Sequence, residues 1–102
     1  SEYIIGDWEL REVIDPTNYK DTLYHDLGPD YTIIYRFQED QTYIFSSSGR
    51  AQDPVSFSVN EMDSILILGT TSWQLYSFDE NELDIRIWSR NEPTGLRFYK
   101  IE

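Results

Sequence analysis

Apolar and polar residues alternate with a period of two through much of this 102-residue chain. Leu83, Ile85 and Ile87, for example, have charged residues between them, and residues 31–37 repeat the pattern with largely aromatic side chains. Side chains of a β-strand point alternately to its two faces, so each such segment is predicted to be a strand with one buried face. The alternation therefore predicts an all-β fold built from half-buried strands.

Turn residues at short intervals separate the alternating segments, as in the stretches 38–41, 60–63 and 79–81. Connections this short join antiparallel neighbours, because a parallel pair needs a long crossover, usually a helix. The predicted strands number eight and span residues 3–14, 31–38, 42–48, 54–60, 64–68, 72–78, 82–88 and 96–101. We therefore predict an eight-stranded antiparallel up-and-down barrel, with a β-sandwich as the alternative because periodicity does not determine closure.

One segment, residues 15–29, interrupts the strands and reads as a helix. Asp15 suits the N-cap and Pro16 the first helical position, while Gly28 and Pro29 end the pattern. Apolar residues between them recur every four positions and form a single stripe. The stripe consists of Tyr19, Leu23 and Leu27. The sequence thus predicts one short helix near residues 16–27, directly after the first strand.

The composition is that of a folded, acidic domain, which we place at residues 1–102. Aromatic residues make up 16% of the chain, more than a disordered acidic segment would carry. The formal net charge of −11 would repel both nucleic acid and an anionic membrane surface. The chain has no Cys, no apolar run long enough to span a membrane and no signal peptide. We expect no membrane insertion, although a leader or lipid-anchored N-terminus could have been removed before Ser1.

Residues suited to catalysis are sparse, so we expect neither enzyme activity nor a cofactor. His25 is the only histidine and falls in the predicted helix, where an exposed side chain is commoner than a general base. The serines within residues 45–49 lie in a strand and turn, not in the strained elbow of a hydrolase. Two acidic pairs fall in turns, where acidic residues are common. They are Glu39 with Asp40 and Glu80 with Glu82.

Hard oxygen ligands for a weakly bound cation lie close together around one predicted turn. They are Asp79, Glu80, Asn81, Glu82 and Asp84. The spacing lacks the Gly and the distal Glu of an EF-hand loop. A solvated hairpin turn is therefore the favoured interpretation, and no metal site is predicted.

Three short motifs give the chain a family resemblance: Gly6-Asp7-Trp8 on the first strand, the aromatic stretch 35–43 and Arg97-Phe98-Tyr99 on the last strand. Together with the eight strands, they resemble the calycin group, which holds the lipocalins and the fatty-acid-binding proteins. In the latter, an Arg-x-Tyr pair holds a ligand carboxylate. Those proteins have more strands and a second helix, and full-length lipocalins are longer. The chain is therefore most similar to the short lipocalin-like domains of secreted bacterial proteins, typically lipoproteins.

The resemblance implies a barrel that binds a small apolar or amphiphilic molecule, in a secreted, periplasmic or cell-surface protein. It also implies that Gly6 allows close approach at the closed end, and that Trp8 plugs this end beneath a basic side chain. Arg97 and Lys100 have opposite parity, so only one of them can point inward. The predicted ligand-binding residues are Tyr35, Phe37, Tyr43, Phe57, Trp73, Arg97 and Tyr99, the last two holding a carboxylate if they face inward.

The sequence leaves open whether the barrel is hollow. An eight-stranded barrel is just wide enough for one small ligand, and six or more inward aromatic side chains could fill it. The alternative function is therefore a filled-core interaction module of a secreted or cell-surface assembly. Its docking or homodimer face is expected near residues 64–68, because this strand is apolar at both parities. The residues predicted to form that face are Leu66, Leu68 and Trp88.

Overall fold

The computed structural model describes residues 4–14, 24–26, 32–89 and 92–101. These residues form ten β-strands. In chain order they are β1 (Gly6–Ile14), β2 (Tyr24–Asp26), β3 (Ile33–Phe37), β4 (Thr42–Ser47), β5 (Arg50–Ala51), β6 (Val55–Asn60), β7 (Ile65–Leu68), β8 (Thr71–Phe78), β9 (Glu82–Ser89) and β10 (Glu92–Ile101).

Eight of these strands close into an antiparallel barrel. The order of hydrogen-bonded neighbours around it is β1-β3-β4-β6-β7-β8-β9-β10. Closure occurs at β1, which pairs with β3 through residues 6–10 on one edge and with β10 through residues 7–13 on the other. The predicted antiparallel barrel is confirmed, and the β-sandwich is excluded because the first and last strands pair.

The connections lie at two ends of the barrel. Turns 38–41, 61–64 and 79–81 share one end, because successive antiparallel strands reverse direction. The backbone N–H of Lys100 donates to the carbonyl of Asn81 at 2.8 Å, which ties the end of β10 to the third of these turns. We call this the Trp8 end. Turns 48–49 and 69–70 lie at the opposite end.

Two short strands extend the sheet beyond the closed barrel. β5 pairs with β4, and β2 pairs with residues 12–14 of β1. β2 falls within the predicted helix, so that prediction is wrong for residues 24–26, and the rest of it lies outside the described residues. The reason is tertiary: the ladder between β1 and β3 stops at Leu10, and β2 takes the next part of that edge.

Strand irregularities change which side chains face inward. The register shifts at Arg11 in β1 and at Tyr76 in β8, where one strand carries an extra residue. Such a bulge reverses the alternation of faces beyond it. Inward residues on either side of each bulge therefore follow an odd spacing. They are Leu10 and Val13 on β1, and Leu75 and Phe78 on β8.

The last strand begins earlier than its sequence indicates. It starts at Glu92, whereas alternation and turn residues place the start at residue 96. Residues 92–95, which precede the predicted strand 96–101, continue the ladder with β9. Pro93 and Gly95 are turn residues locally, but the neighbouring strand supplies the pairing that sequence cannot show.

The interior of the barrel is a single apolar core. Its buried members are Ile4, Trp8, Leu10, Phe37, Phe57, Leu66, Leu68, Leu83, Ile85 and Phe98. Every strand of the closed barrel except β4 and β8 contributes at least one of them, and those two contribute half-buried members. Burial of this apolar surface is the main favourable term for the fold.

Trp8 closes its end of the barrel as a plug. The indole is fully buried, and its Nε1 donates to the carbonyl of Ile4 at 2.8 Å. The Nζ of Lys100 lies 4.8 Å from the ring centroid and donates to the carbonyl of Ile5 at 2.6 Å. Lys100, not Arg97, is therefore the inward cation. Its removal from water lowers the pKa of Lys100.

Gly6 is required by the backbone at this plug. Its φ is +127°, in the region that side chains disfavour. A Cβ at this position would lie 2.8 Å from the Cε of Lys100. The spacing Gly-x-Trp thus lets the Lys100 side chain cross β1 and reach the indole of Trp8.

Candidate functional site

Aromatic rings occupy much of the barrel interior. Tyr35 is central among them, stacked on Tyr43 with centroids 5.4 Å apart and meeting Phe45 and Phe98 edge-on at 5.4 and 4.9 Å. Such edge and offset contacts add about 0.5–1.5 kcal/mol beyond area burial. The rings therefore support one another and present a stiff internal surface.

These rings differ in how far they are enclosed. Phe37 and Phe57 meet edge-on at 4.9 Å and are 1% and 5% exposed. Tyr35, Tyr43 and Phe45 also face inward but remain only half-buried. We call these three side chains the aromatic wall. Their inward-facing yet accessible surface distinguishes the wall from the filled part of the core.

The barrel is accessible next to the aromatic wall, at the junction of β4 with β6. The ladder here consists of Thr42↔Ser56 and Tyr43↔Val55 only, after which β4 pairs with β5. Cross-strand neighbours share a face, so Val55 lies on the inner side with Tyr43. Val55 is nevertheless 39% exposed. An inner-face residue with this exposure indicates that solvent reaches the interior beside Tyr43.

The hydroxyl of Tyr35 lies in an environment of low polarity. Burial, and to a lesser extent the neighbouring Tyr43, raises the pKa of Tyr35 to about 12. Burial also raises the pKa of Tyr43. Both phenols are therefore neutral at physiological pH and can donate a hydrogen bond to a ligand that enters the wall.

The raised pKa of Tyr35 predicts a specific loss of stability in alkali. The folded pKa of about 12 exceeds the ordinary value of 10.0, so this contribution is intact below pH 10 and falls as the pH rises towards 12. We expect urea unfolding of the wild type to lose about 2 kcal/mol more than Tyr35→Phe over that interval. Identical pH profiles for the two proteins would contradict the burial of this hydroxyl.

Five of the seven predicted ligand residues face inward, and they separate into three groups. Tyr35 and Tyr43 belong to the aromatic wall, and Trp73 is a half-buried member packed against the core. Phe37 and Phe57 face inward but are enclosed by other side chains, so they support the wall rather than line a site. Phe45 belongs to the wall although it is not among the predicted site residues; its parity with Tyr43, two residues earlier, is the sequence signal that identifies it.

Arg97 and Tyr99 do not face the interior, so the condition under which they were predicted to hold a carboxylate is not met. Phe98 between them is fully buried, so both neighbours point outward. Arg97 lies 3.3 Å from Asp84, 3.4 Å from Glu82 and 3.6 Å from Glu12 on adjacent strands. Three carboxylates around one guanidinium leave no electrostatic preference for a further anion there.

The outer network also binds Tyr99 and holds three strands together. The Tyr99 hydroxyl donates to Glu12, and this hydrogen bond raises the pKa of Tyr99. Asp84 is 4% exposed although it lies on the outer face, and its carboxylate accepts from Arg97. The network therefore links β1, β9 and β10 where the barrel closes.

Leu66 and Leu68 do not form the expected docking face. They point inward and are 0% and 7% exposed, while Ile65 and Ile67 are the half-buried outward residues of β7. Both faces of β7 carry apolar residues, because the outer face is also partly buried. The backbone of Trp88 pairs with Pro93, and its side chain lies outside the described residues.

The other chemical candidates occupy structural positions. The backbone of His25 pairs with Val13 in the sheet. Asp79 accepts hydrogen bonds from the backbone N–H groups of Asn81 and Glu82 at 2.7 and 2.9 Å, which lowers the pKa of Asp79. Within the described ranges, no three His, Asp or Glu side chains come together as a metal site.

The described part of the chain contains no helix that is long and apolar enough to cross a membrane. Comparison with protein-family models, with curated proteins and with solved structures finds no match to this chain.

Proposed function

We propose that this domain is a non-catalytic, lipocalin-like barrel that binds one small apolar or amphiphilic molecule at the aromatic wall. The observation that carries the proposal is the partial exposure of inward-facing side chains there, including Val55 at 39%. Small-molecule sites are typically concave, rich in aromatic groups and supplied with a few polar atoms. Tyr35 and Tyr43 provide the aromatic surface and the polar atoms of such a site.

The electrostatics favour a neutral ligand over a carboxylate. Arg97 and Tyr99 point away from the interior, and Lys100 is engaged at the Trp8 end by the indole and the carbonyl of Ile5. A carboxylate at the wall would lose its hydration, and the inward cation Lys100 is already bound at the Trp8 end by the indole and the carbonyl of Ile5. The formal charge of −11 adds a long-range penalty for anions.

A location outside the cytoplasm follows from the resemblance to short secreted bacterial lipocalin-like domains. The motifs Gly6-Asp7-Trp8 and the aromatic stretch 35–43 support this assignment. A filled-core interaction module remains the second candidate, and the observation in its favour is the enclosure of Phe37, Phe57 and Phe98. The two functions are compatible, because enclosed rings and the half-buried wall occupy different parts of one interior.

The ligand proposal predicts binding of a neutral fluorescent probe. N-phenyl-1-naphthylamine should gain fluorescence with the protein, and decanol should displace it at least about tenfold more effectively than decanoate, as an unpaired buried charge is costly. Tyr43→Ala should weaken probe binding by roughly three- to tenfold through the loss of ring contacts. The matched control is Tyr76→Ala, which removes an exposed outer tyrosine and should leave the probe affinity unchanged.

Two results would contradict this proposal. Absence of any probe signal at about 100 μM protein would contradict a binding site at the wall, because it would require a dissociation constant well above that concentration. Equal effects of Tyr43→Ala and Tyr76→Ala would place the probe elsewhere. Equal displacement by decanoate and decanol would still support a binding site at the wall, but it would overturn the preference for a neutral ligand.

A further inference from the structure

The two phenol hydroxyls of the aromatic wall have no protein partner among the described residues. Tyr35 and Tyr43 pack against the core from the inner face, yet neither side-chain oxygen takes part in a hydrogen bond with a described group. A tyrosine hydroxyl inside a protein usually has such a partner, because its polar atom otherwise loses solvation. These two hydroxyls are therefore polar groups of the interior that a ligand can engage.

Comparable polar atoms elsewhere in the barrel are bonded within the chain. The indole N–H of Trp8 donates to the carbonyl of Ile4 at 2.8 Å, and the hydroxyl of Tyr99 donates to Glu12. Bulk water does not replace such a partner for Tyr35, because burial raises the pKa of Tyr35 to about 12. The hydroxyls of the wall thus differ from the aromatic groups that serve the structure alone.

The two hydroxyls lie on the same side of the wall. Tyr35 of β3 and Tyr43 of β4 leave the same face of adjacent strands, and their rings are parallel within 2° with centroids 5.4 Å apart. Side chains stand roughly perpendicular to a sheet, so both hydroxyls point away from it into the interior. Tyr43 also raises the pKa of Tyr35 through its charge, which requires the two groups to be near each other.

Neighbouring rings hold this pair in position. Phe45 and Phe98 meet Tyr35 edge-on at 5.4 and 4.9 Å, and the ring centroid of Phe37 lies 5.6 Å from that of Tyr43. Donors that are already fixed lose little conformational freedom when a ligand binds. Neither hydroxyl oxygen is completely enclosed, so a ligand can approach them.

The balance of donors and acceptors at this pair identifies the group that it fits. Two neutral phenols supply two O–H donors. A carbonyl oxygen has two lone pairs and no proton, so it can accept from both phenols and leaves no polar atom unsatisfied. An alcohol that accepts from both leaves its own O–H without a partner, and a carboxylate brings a charge into surroundings of low polarity.

We propose that the hydroxyls of Tyr35 and Tyr43 together bind the oxygen of an uncharged carbonyl group, so that the ligand of the barrel is an apolar ketone, ester or amide. This inference rests on the proposed function, because it concerns the same site. The apolar part of the ligand contacts the half-buried ring of Phe45 and the partly exposed Val55. The hydroxyls act in recognition only, and no bond of the ligand is made or broken.

The compounds 2-decanone and 2-decanol test this inference, because they share one carbon skeleton and differ only at the oxygen. In competition with N-phenyl-1-naphthylamine, the ketone should bind at least about fivefold more tightly, since a donor left unsatisfied is costly. Tyr35→Phe and Tyr43→Phe each keep the ring and should remove most of that preference. Tyr76→Phe is the matched control, because it deletes the hydroxyl of an exposed outer tyrosine and should leave the preference unchanged.

The infrared carbonyl band of isotope-labelled 2-decanone reports the hydrogen bonds separately from the affinity. A hydrogen bond to the oxygen weakens the C=O bond, so the band of the ketone bound to the wild type should lie at lower wavenumber than in hexane. Tyr35→Phe and Tyr43→Phe should each move the band part of the way back, because each removes one of the two donors.

The outcomes distinguish this inference from the proposed function. Equal binding of the ketone and the alcohol, with a carbonyl band that neither Tyr35→Phe nor Tyr43→Phe changes, would overturn the inference and leave ligand binding at the wall intact. Failure of the probe and of both compounds to bind would overturn the two proposals together. A larger effect of Tyr76→Phe than of Tyr43→Phe would also overturn the inference, because it would place the carbonyl outside the wall.

Discussion

Replacing Trp8 with alanine is expected to lower the free energy of unfolding by about 3–5 kcal/mol, the usual cost of truncating a fully buried large aromatic residue. Three interactions are lost together. The indole is fully buried, its N–H binds the carbonyl of Ile4, and its face receives Lys100. Domains of this size are stable by only about 5–15 kcal/mol, so the variant should unfold at a much lower urea concentration.

Trp8→Phe keeps an aromatic ring but removes the hydrogen bond to Ile4 and part of the buried volume. It should cost about 1–3 kcal/mol, because the buried carbonyl of Ile4 loses its donor and the smaller ring leaves a void. Met62→Ala is the control, since truncating a 96% exposed side chain should change stability little. A loss below about 1 kcal/mol in Trp8→Ala would show that the plug does not hold the barrel end together.

Substituting Gly6 with alanine is expected to destabilise the barrel by about 2–4 kcal/mol, because backbone strain and a steric clash add. The φ of +127° is unfavourable for any residue with a Cβ. The new Cβ would also meet the Cε of Lys100 at 2.8 Å, and that side chain is anchored by the carbonyl of Ile5 and the indole. Urea unfolding of the purified variant measures the change.

A double-mutant cycle with Lys100→Ala divides this cost into its parts. Removing Lys100 relieves the clash but not the backbone strain, so Gly6→Ala should cost less in the Lys100→Ala background while remaining destabilising. Gly49→Ala provides a matched comparison, because its φ is +85° but an added Cβ would meet no atom within 4 Å. If Gly6→Ala costs no more than Gly49→Ala, close approach at the plug is not what requires glycine.

Local sequence determined the strands and the barrel class. Alternation in segments such as 31–37 and 83–87 reports directly on burial of one face, which is a property of each strand by itself. Because the connecting turns are short, neighbouring strands were predicted to run antiparallel. The role of Gly6 and Trp8 could also be predicted, because a glycine next to a large buried ring indicates that another part of the chain approaches the backbone closely.

Tertiary pairing decided the features that depend on a neighbour. Residues 24–26 have a helical pattern, but an unfilled part of the β1 edge makes them a strand. The bulge at Tyr76 reversed the faces of β8, and no alternation rule indicates where an extra residue will be accommodated.

Some features of the candidate site could likewise be predicted from the sequence, and others depend on the tertiary structure. Inward parity identified Tyr35 and Tyr43 from the sequence alone, and both line the aromatic wall. Parity could not say that Phe37 and Phe57 would be enclosed, because enclosure depends on rings contributed by other strands. Nor could it orient Arg97, whose outward position follows from the packing of Phe98 in the closed barrel. The sequence by itself determined the strands and their alternating faces, and only the closed barrel decided which face became the interior.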